Sequence, residues 1–313
     1  MDEFHDSAYG GLDHHSVMDD SQWAFGQAHP DLQGEDPLAG VDKTIPDGVD
    51  HEALAAYCLM LGDDALVLAH RLSEWCSHAP DLEEDIALAN IALDLLGQAR
   101  LLYARASAAD PAVVPSLPAG SPVPAEDALA FFRADPDFRN VRLVEADNGD
   151  FAVTVTRLLL FSTWRLALLQ RLVASRDQVL SAIAAKAVKE VTYHRGYAGR
   201  WFRTLAQGTD ESRSRLLAAI SLVWRMHDEL FVPTRTELAL ATGAVGVDPS
   251  SVAREVADVL SQVFEASAVH APDLPQVGPV NGGMGRAGRH TEAFSRLLAE
   301  MQSVARAHPT GRW

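Results

Sequence analysis

Two pairs of polar residues stand in otherwise apolar helical sequence, and their side chains are of types that bind metal ions. Asp94 and Gln98 lie four residues apart within ALANIALDLLGQAR, and Glu190 and His194 have the same spacing within AKAVKEVTYH. Residues four apart share one face of a helix, one turn from each other. Carboxylates suit hard ferric ions and imidazole adds a neutral nitrogen donor. The two pairs are therefore candidates for part of a dinuclear metal centre.

A complete di-iron centre in a four-helix bundle needs more ligands than these pairs supply. It takes one Glu or Asp from each of two helices and a Glu-x-x-His motif from each of the other two. Gly97 stands where the first histidine belongs, three residues after Asp94. Val191 stands where the second acid belongs, three residues before His194. The stretch 151–176, predicted to form the third long helix, contains no acidic residue at all.

The first long helix adds two acids, but the ligand set remains incomplete. We therefore expect a vestigial site that binds no metal and contains no catalytic residue. Its positions are Asp63, Asp64, Asp94, Gln98, Glu190 and His194. A weak metal site at the same positions is the alternative.

Buried acids without a metal need cations or hydrogen bonds to stabilise them. The amide of Gln98 can donate to Asp94 or Glu190. We expect Asp94 to be buried and neutralised by a neighbouring side chain, and His70 and Glu74 to form a local pair on their helix. Basic residues that could compensate the acids occur on the same predicted helices, at Arg157, Arg165, Lys186 and Lys189.

The negative charge of the chain is concentrated at its amino end. The 313 residues have a formal net charge of −17, and residues 1–50 contain twelve acids against one base. This composition predicts a disordered acidic tail over 1–50, followed by a helical domain over 51–313. No basic stripe is evident in the sequence, so nucleic acid is not an expected partner.

Membrane and disulfide signals are also missing from the sequence. No apolar run reaches the roughly 18 residues of a membrane span, and no segment has the layout of a signal peptide. We therefore expect a cytoplasmic protein without membrane contact. Cys58 and Cys76 both lie in apolar helical sequence and are expected to be reduced thiols in the core.

Helical periodicity and capping residues divide the chain into helices joined by short turns and one long crossover. Gly62 is expected to break or kink the first helix, and Asp81 with Glu84 to form a capping box at the second. The pattern predicts an all-α fold, a ferritin-like four-helix bundle with additional C-terminal helices. The predicted helices cover 51–78, 81–108, 126–133, 150–175, 178–206, 209–231, 249–268 and 291–307.

Several long stretches of the sequence also match a known family. They are LGDDALVLAHRLSEWCSHAPDLEEDIALANIALDLLGQAR, AKAVKEVTYH, QGTD, GRHTE and LAEMQ, together with the terminal Trp313. In these stretches the chain resembles the non-catalytic, ferritin-like subunits of bacterial phenylacetyl-coenzyme A 1,2-epoxidases. The resemblance covers nearly the whole predicted helical domain and leaves out residues 1–50.

The resemblance implies a structural subunit without a cofactor of its own. Its expected partner is a related catalytic subunit that carries the di-iron centre, together with a further small subunit and a reductase. That complex inserts one oxygen atom from O₂ into the aromatic ring of phenylacetyl-coenzyme A during phenylacetate degradation. We expect a hetero-oligomer, with a homodimer of the isolated chain as the alternative. Two other functions stay open: a di-iron oxygenase in its own right, and a binding module for a coenzyme A ester.

Overall fold

Helices account for most of the structure. The computed structural model describes residues 36–279 and 282–311. Within these two ranges the chain forms nine α-helices and no β-strand, so the predicted all-α fold is confirmed. The helices are α1 (His51–Ser73), α2 (Leu82–Ala109), α3 (Ala125–Phe131), α4 (Phe151–Leu172), α5 (Gln178–Gln207), α6 (Asp210–Val223), α7 (Arg235–Thr242), α8 (Ala253–Ala266) and α9 (Glu292–Ala307).

The four longest helices form the predicted bundle from two helix hairpins. A short turn joins α1 to α2 and another joins α4 to α5, while α2 also packs against α5. The long connection between the two hairpins contains only α3 and short 3-10 turns. Most residues of α1 and nearly all of those in α4 are buried, because these two helices lie in the apolar core.

Among the described residues, three helices are long and apolar enough to cross a membrane on length and composition alone. They are α1, α2 and α4, so the expectation that no apolar run reaches that length is wrong. The apolar stretches of α1 and α4 are buried inside the protein, which accounts for their composition. In contrast, α2 buries less than half of its apolar stretch and leaves an apolar side exposed.

The ordered helical part begins earlier than the predicted boundary at His51. The compact unit starts at Pro37, and the side chain of Leu38 is 3% exposed. The carbonyl oxygen of Lys43 accepts a hydrogen bond of 2.8 Å from Arg105 Nη1. Apolar contacts thus hold residues 37–50 on the bundle despite their acidic composition. The predicted disorder of the remaining tail, 1–35, lies outside the described residues.

The first helix is shorter and straighter than predicted. It ends at Ser73 instead of residue 78, and no break occurs at Gly62. A Cβ atom at Gly62 would lie 2.7 Å from Cε1 of Tyr103. The glycine therefore allows close packing of α1 on α2, and the helical hydrogen bonds continue through it.

The C-terminal helices also differ from the prediction. The fifth predicted helix (209–231) ends at Val223, followed by 3-10 turns at Trp224–Met226 and Asp228–Phe231. The second turn carries Glu229 into a buried ion pair with Arg142, at 2.6 Å between Oε2 and Nε. This ion pair lies in the segment that was predicted to continue the helix. Helix α7, which follows, has no counterpart in the prediction.

Two predictions about the surface are wrong. Both cysteines are free, as expected, but Cys58 is buried whereas Cys76 is exposed. A basic stripe exists after all, on the exposed side of α5, and it consists of Lys186, Lys189, Arg200 and Arg203. The sequence hides this stripe because buried apolar residues separate its members along the chain.

Candidate functional site

The predicted polar pairs of α2 and α5 meet across the interface between these helices. His194 Nε2 lies 2.9 Å from Asp94 Oδ2, and Gln98 Nε2 donates to Glu190 Oε2 at 3.0 Å. We call these four side chains the α2–α5 cluster. The equal spacing of the two pairs along antiparallel helices produces two adjacent side-chain contacts. The predicted hydrogen bond from Gln98 to an acid is confirmed, and Glu190 is its acceptor.

Arg165 of α4 inserts its guanidinium group between this cluster and α1. Its Nη2 donates to Oε1 of Gln98 at 3.2 Å, and its Nη1 donates to the carbonyl oxygen of Leu61 at 3.0 Å. The same Nη1 lies 4.0 Å from Oδ2 of Asp64. The helix that lacks acids therefore contributes a cation where a bundle metal centre would take a carboxylate.

The two acids of α1 form their hydrogen bonds with groups outside the α2–α5 cluster. Asp63 accepts from Tyr103 at 2.6 Å, from the backbone N–H of Arg139 at 2.7 Å, and from the guanidinium of Arg133. Asp63 is fully buried, and these donors satisfy both of its oxygen atoms. It is therefore a structural acid rather than a free ligand.

Asp64 is held by a second arginine that arrives from the far end of the chain. Arg286 Nη2 and Nη1 contact its carboxylate at 2.8 and 3.0 Å, and the backbone N–H of Val141 donates to it at 2.8 Å. Burial raises the pKa of Asp64, while Arg286 and Arg165 oppose that shift. The donors around the carboxylate favour its charged form.

Burial also sets the charge states around the α2–α5 cluster. It lowers the pKa of His194, although the hydrogen bond to Asp94 works in the opposite direction. A neutral imidazole that donates its Nε2–H to the carboxylate fits this contact. Burial lowers the pKa of Arg165 to about 10, so the guanidinium still carries its charge at neutral pH.

Two expectations about this region need correction. The side chain of Asp94 is 37% exposed rather than buried, because it lies at the outer edge of the cluster. Its neighbour is His194, another position of the predicted vestigial site. Glu74 pairs with Arg71 at 2.9 Å, so the expected contact with His70 is wrong. The Nε2 atom of His70 is buried with no hydrogen-bond partner among the described residues.

Only some of the predicted cations compensate the acids of the cluster. Lys186 Nζ lies 3.7 Å from Glu190, and Arg165 has the role described above. In contrast, Arg157 donates to the carbonyl of Ala146 and to Asn148, away from the cluster. Lys189 is exposed and forms no salt bridge with the cluster among the described residues.

Glu84 is a polar residue whose role the sequence analysis misassigned. Its Oε2 accepts from Trp201 Nε1 at 2.7 Å and from the hydroxyl of Tyr197. Asp81 caps α2, but the side chain of Glu84 does not complete the predicted capping box. The spacing of Tyr197 and Trp201, four residues apart on α5, is the signal that could have indicated a shared acceptor.

The contacts leave little free coordination capacity at the predicted positions. Within 36–279 and 282–311, no three side chains of His, Cys, Asp or Glu are grouped so that they could hold a metal ion. The acids are paired with arginine, lysine, histidine or glutamine instead. The arrangement can hold helices together through buried polar contacts.

Two helix hairpins packed around a polar cluster at mid-bundle place this chain among the ferritin-like helical proteins. The chain belongs to the phenylacetic acid catabolic protein family, whose model matches residues 41–313. It is similar to a protein of Escherichia coli (strain K12) that is named as one of the subunits of 1,2-phenylacetyl-CoA epoxidase. The two are 43% identical over 263 residues, which is 83% of this chain and 99% of that relative. The predicted resemblance is therefore confirmed.

Proposed function

We propose that this chain is the structural subunit of a multicomponent di-iron monooxygenase that epoxidises the ring of phenylacetyl-coenzyme A. The observation that carries the proposal is the position of Arg165, whose guanidinium donates to Gln98 at 3.2 Å and lies 4.0 Å from Asp64. Catalysis and the di-iron centre then belong to a homologous partner subunit, with a small subunit and a reductase completing a cytoplasmic complex.

The side chains at the predicted metal positions do not fit a dinuclear iron centre. Such a centre needs carboxylates that approach the metals from all four helices. Here α4 contributes a permanent cation, and both acids of α1 are occupied by arginines. A divalent ion beside the Arg165 guanidinium would be repelled, at a cost that the low dielectric of the interior increases.

An exposed apolar side of α2 supports an association with a partner. Leu82, Ile86 and Leu93 are 70%, 53% and 63% exposed, and their spacing places them along one side of the helix. We call these three residues the apolar stripe. Apolar side chains in a row on a long helix are typical of surfaces that another protein covers.

Co-expression with a catalytic homologue of the same family tests the proposal. We expect the two chains to co-purify, and the catalytic chain to lose solubility when this chain is omitted. Replacing the apolar stripe with serine should abolish co-purification. The matched control replaces Leu217 and Leu222, which are exposed on α6, and should leave the complex intact. Failure to co-purify in the unaltered pair would contradict the proposal.

Metal analysis of the purified chain separates the structural role from an enzymatic one. We expect iron well below one atom per chain after loading with ferrous iron under anaerobic conditions. Near-stoichiometric iron that is lost in Asp94→Ala or Glu190→Ala would make this chain an oxygenase in its own right and would overturn the proposal.

A further inference from the structure

Helix α5 has a charge opposite to that of the chain around it. The whole chain has a formal net charge of −17, yet Gln178–Gln207 contains five lysines and arginines and a single acid, Glu190. Four of these bases, Lys186, Lys189, Arg200 and Arg203, lie on the exposed side. We call these four residues the basic face.

Most of the charge on the basic face is unpaired within the described part of the chain. Lys186 contacts Glu190 at 3.7 Å, but no salt bridge to Lys189, Arg200 or Arg203 forms among the described residues. Like charges that share one face of a helix repel each other and destabilise it slightly. Tyr193, 48% exposed, lies between the two lysines and the two arginines.

The basic face adjoins the apolar stripe of α2. Glu84, between Leu82 and Ile86 on α2, accepts hydrogen bonds from Tyr197 and Trp201 on either side of Arg200 on α5, so the two surfaces lie on neighbouring parts of packed helices. On this side the molecule presents leucine and isoleucine next to lysine, arginine and tyrosine. Interfaces commonly combine an apolar centre with a charged rim, and arginine and tyrosine are enriched in them.

We propose that the basic face is a docking site for a carboxylate-rich surface of the catalytic partner subunit. This inference rests on the proposed function, since it names the chemistry of the partner surface that covers α2 and α5. Acidic side chains of the partner would neutralise Lys189, Arg200 and Arg203 while its apolar residues cover the apolar stripe. Nucleic acid does not fit this surface, because the net charge of the whole chain repels a polyanion.

The composition of the chain permits a direct test by zero-length coupling of amines to carboxylates. Only three lysines occur in the sequence, at Lys43, Lys186 and Lys189, so two of the three lie on the basic face. Carbodiimide treatment of the intact complex, followed by mass spectrometry, should link Lys189 or Lys186 to Asp or Glu residues of the catalytic partner. Lys189 is the cleaner reporter, because Lys186 has Glu190 beside it.

Two outcomes of the coupling experiment would overturn the inference. The first is an intact complex in which Lys186 and Lys189 couple to no residue of the partner. The second is coupling of Lys189 to carboxylates of its own chain, including those of residues 1–35, because the basic face would then have a different occupant.

Charge reversal gives an independent measurement with a matched control. Arg200→Glu with Arg203→Glu should weaken association with the catalytic partner by at least about tenfold at low salt, and the difference should shrink as salt screens the charges. The control, Arg235→Glu with Arg254→Glu, changes the net charge equally at exposed positions of α7 and α8 and should leave the affinity unchanged.

The result distinguishes this inference from the proposed function. If the complex forms and its affinity is unchanged by the charge reversal at Arg200 and Arg203, the inference is wrong and the structural role still stands. Equal weakening by both pairs of reversals would show an effect of net charge alone and would also sink it. If no complex forms on co-expression, both the inference and the proposed function are wrong.

Discussion

At the scale of single residues, arginines organise the interior of this bundle. Asp63, Asp64, Asp177 and Glu229 each contact an arginine that is almost completely buried. A buried carboxylate is costly unless it is paired and hydrogen-bonded, so each of these contacts constrains the position of two chain segments. The residues that resembled metal ligands therefore belong to a polar framework that holds the bundle together.

Arg165→Met is expected to destabilise the fold while keeping the side-chain volume similar. The change removes a cation near Asp64, the donor to Oε1 of Gln98 and the side-chain donor to the carbonyl of Leu61. The free energy of unfolding should fall by about 2–3 kcal/mol in urea denaturation. Arg171→Met on the same helix removes an exposed ion pair with Glu255 and should cost less than about 1 kcal/mol. Similar losses in the two variants would contradict the role given to Arg165.

His70 should make stability depend on pH in mildly acidic solution. Burial lowers its pKa from the ordinary histidine value of 6.5 to about 4. Between these two pH values, His70 is therefore protonated in the unfolded chain and neutral in the folded chain. The contribution of His70 to the free energy of unfolding is fully present above its pKa in the unfolded chain. It is lost as the pH falls towards its pKa in the folded chain, by about 3 kcal/mol in total.

A substitution isolates this effect from the many acids that titrate in the same range. His70→Phe should reduce the loss of unfolding free energy between pH 7 and pH 4, measured by urea denaturation at each pH. His51→Phe, at an exposed position at the start of α1, is the matched control and should keep the slope of the unaltered chain. An unchanged slope in His70→Phe would contradict the prediction.

At the scale of elements, the helix starts follow from short-range chemistry. Asp150, Asp177, Thr209 and Thr291 each accept a hydrogen bond from a backbone N–H in the first turn of the next helix. Asp177 does more than cap α5, because its other oxygen contacts the guanidinium of Arg105 in α2. One carboxylate therefore fixes a helix start and joins the two halves of the bundle.

Asp177→Ala should cost far more than the loss of an ordinary cap. It removes the acceptor for the N–H of Leu180 and leaves the buried charge of Arg105 unpaired. We expect a loss of about 3–5 kcal/mol in unfolding free energy, against about 1 kcal/mol for Asp81→Ala at the exposed cap of α2. Asp177→Asn should retain the cap hydrogen bond. It should still show most of the loss in unfolding free energy that is expected for Asp177→Ala. A cost for Asp177→Asn as small as that for Asp81→Ala would show that the ion pair contributes little.

The sequence indicates the bundle and the caps because both depend on residues close together in the chain. The polar pairs of α2 and α5 were also recognisable, since their spacing places them on helix faces. The partners of Asp63 and Asp64 were not, because Arg133 and Arg286 lie far away in sequence and outside the bundle helices. Likewise, no nearby sequence signal predicts that α6 ends before Glu229, the residue that pairs with Arg142.

At the scale of the whole molecule, the C-terminal segment closes over the first hairpin. Arg286 donates to the carbonyl oxygens of Met60 and Arg139, at 2.9 and 2.6 Å, in addition to its contacts with Asp64. Further along, Gln302 donates to the carbonyls of Ala130 and Arg133 at the end of α3. These contacts tie α1, the crossover and α9 into one cooperative unit.

Arg286→Gln tests whether this segment stabilises the bundle as a whole. The change leaves Asp64 buried with the more distant Arg165 as its remaining cation, so we expect a loss of about 3 kcal/mol. For a chain of this size, the loss corresponds to a fall in Tm of roughly 6–12 °C. Hydrogen exchange should quicken at Val141, whose N–H donates to Asp64, and at Ala287, whose N–H bonds to the carbonyl of Met284. Arg289→Gln is the control three residues away and should leave both readouts unchanged, whereas faster exchange confined to residues 282–291 in Arg286→Gln would mean that the segment opens without weakening the bundle.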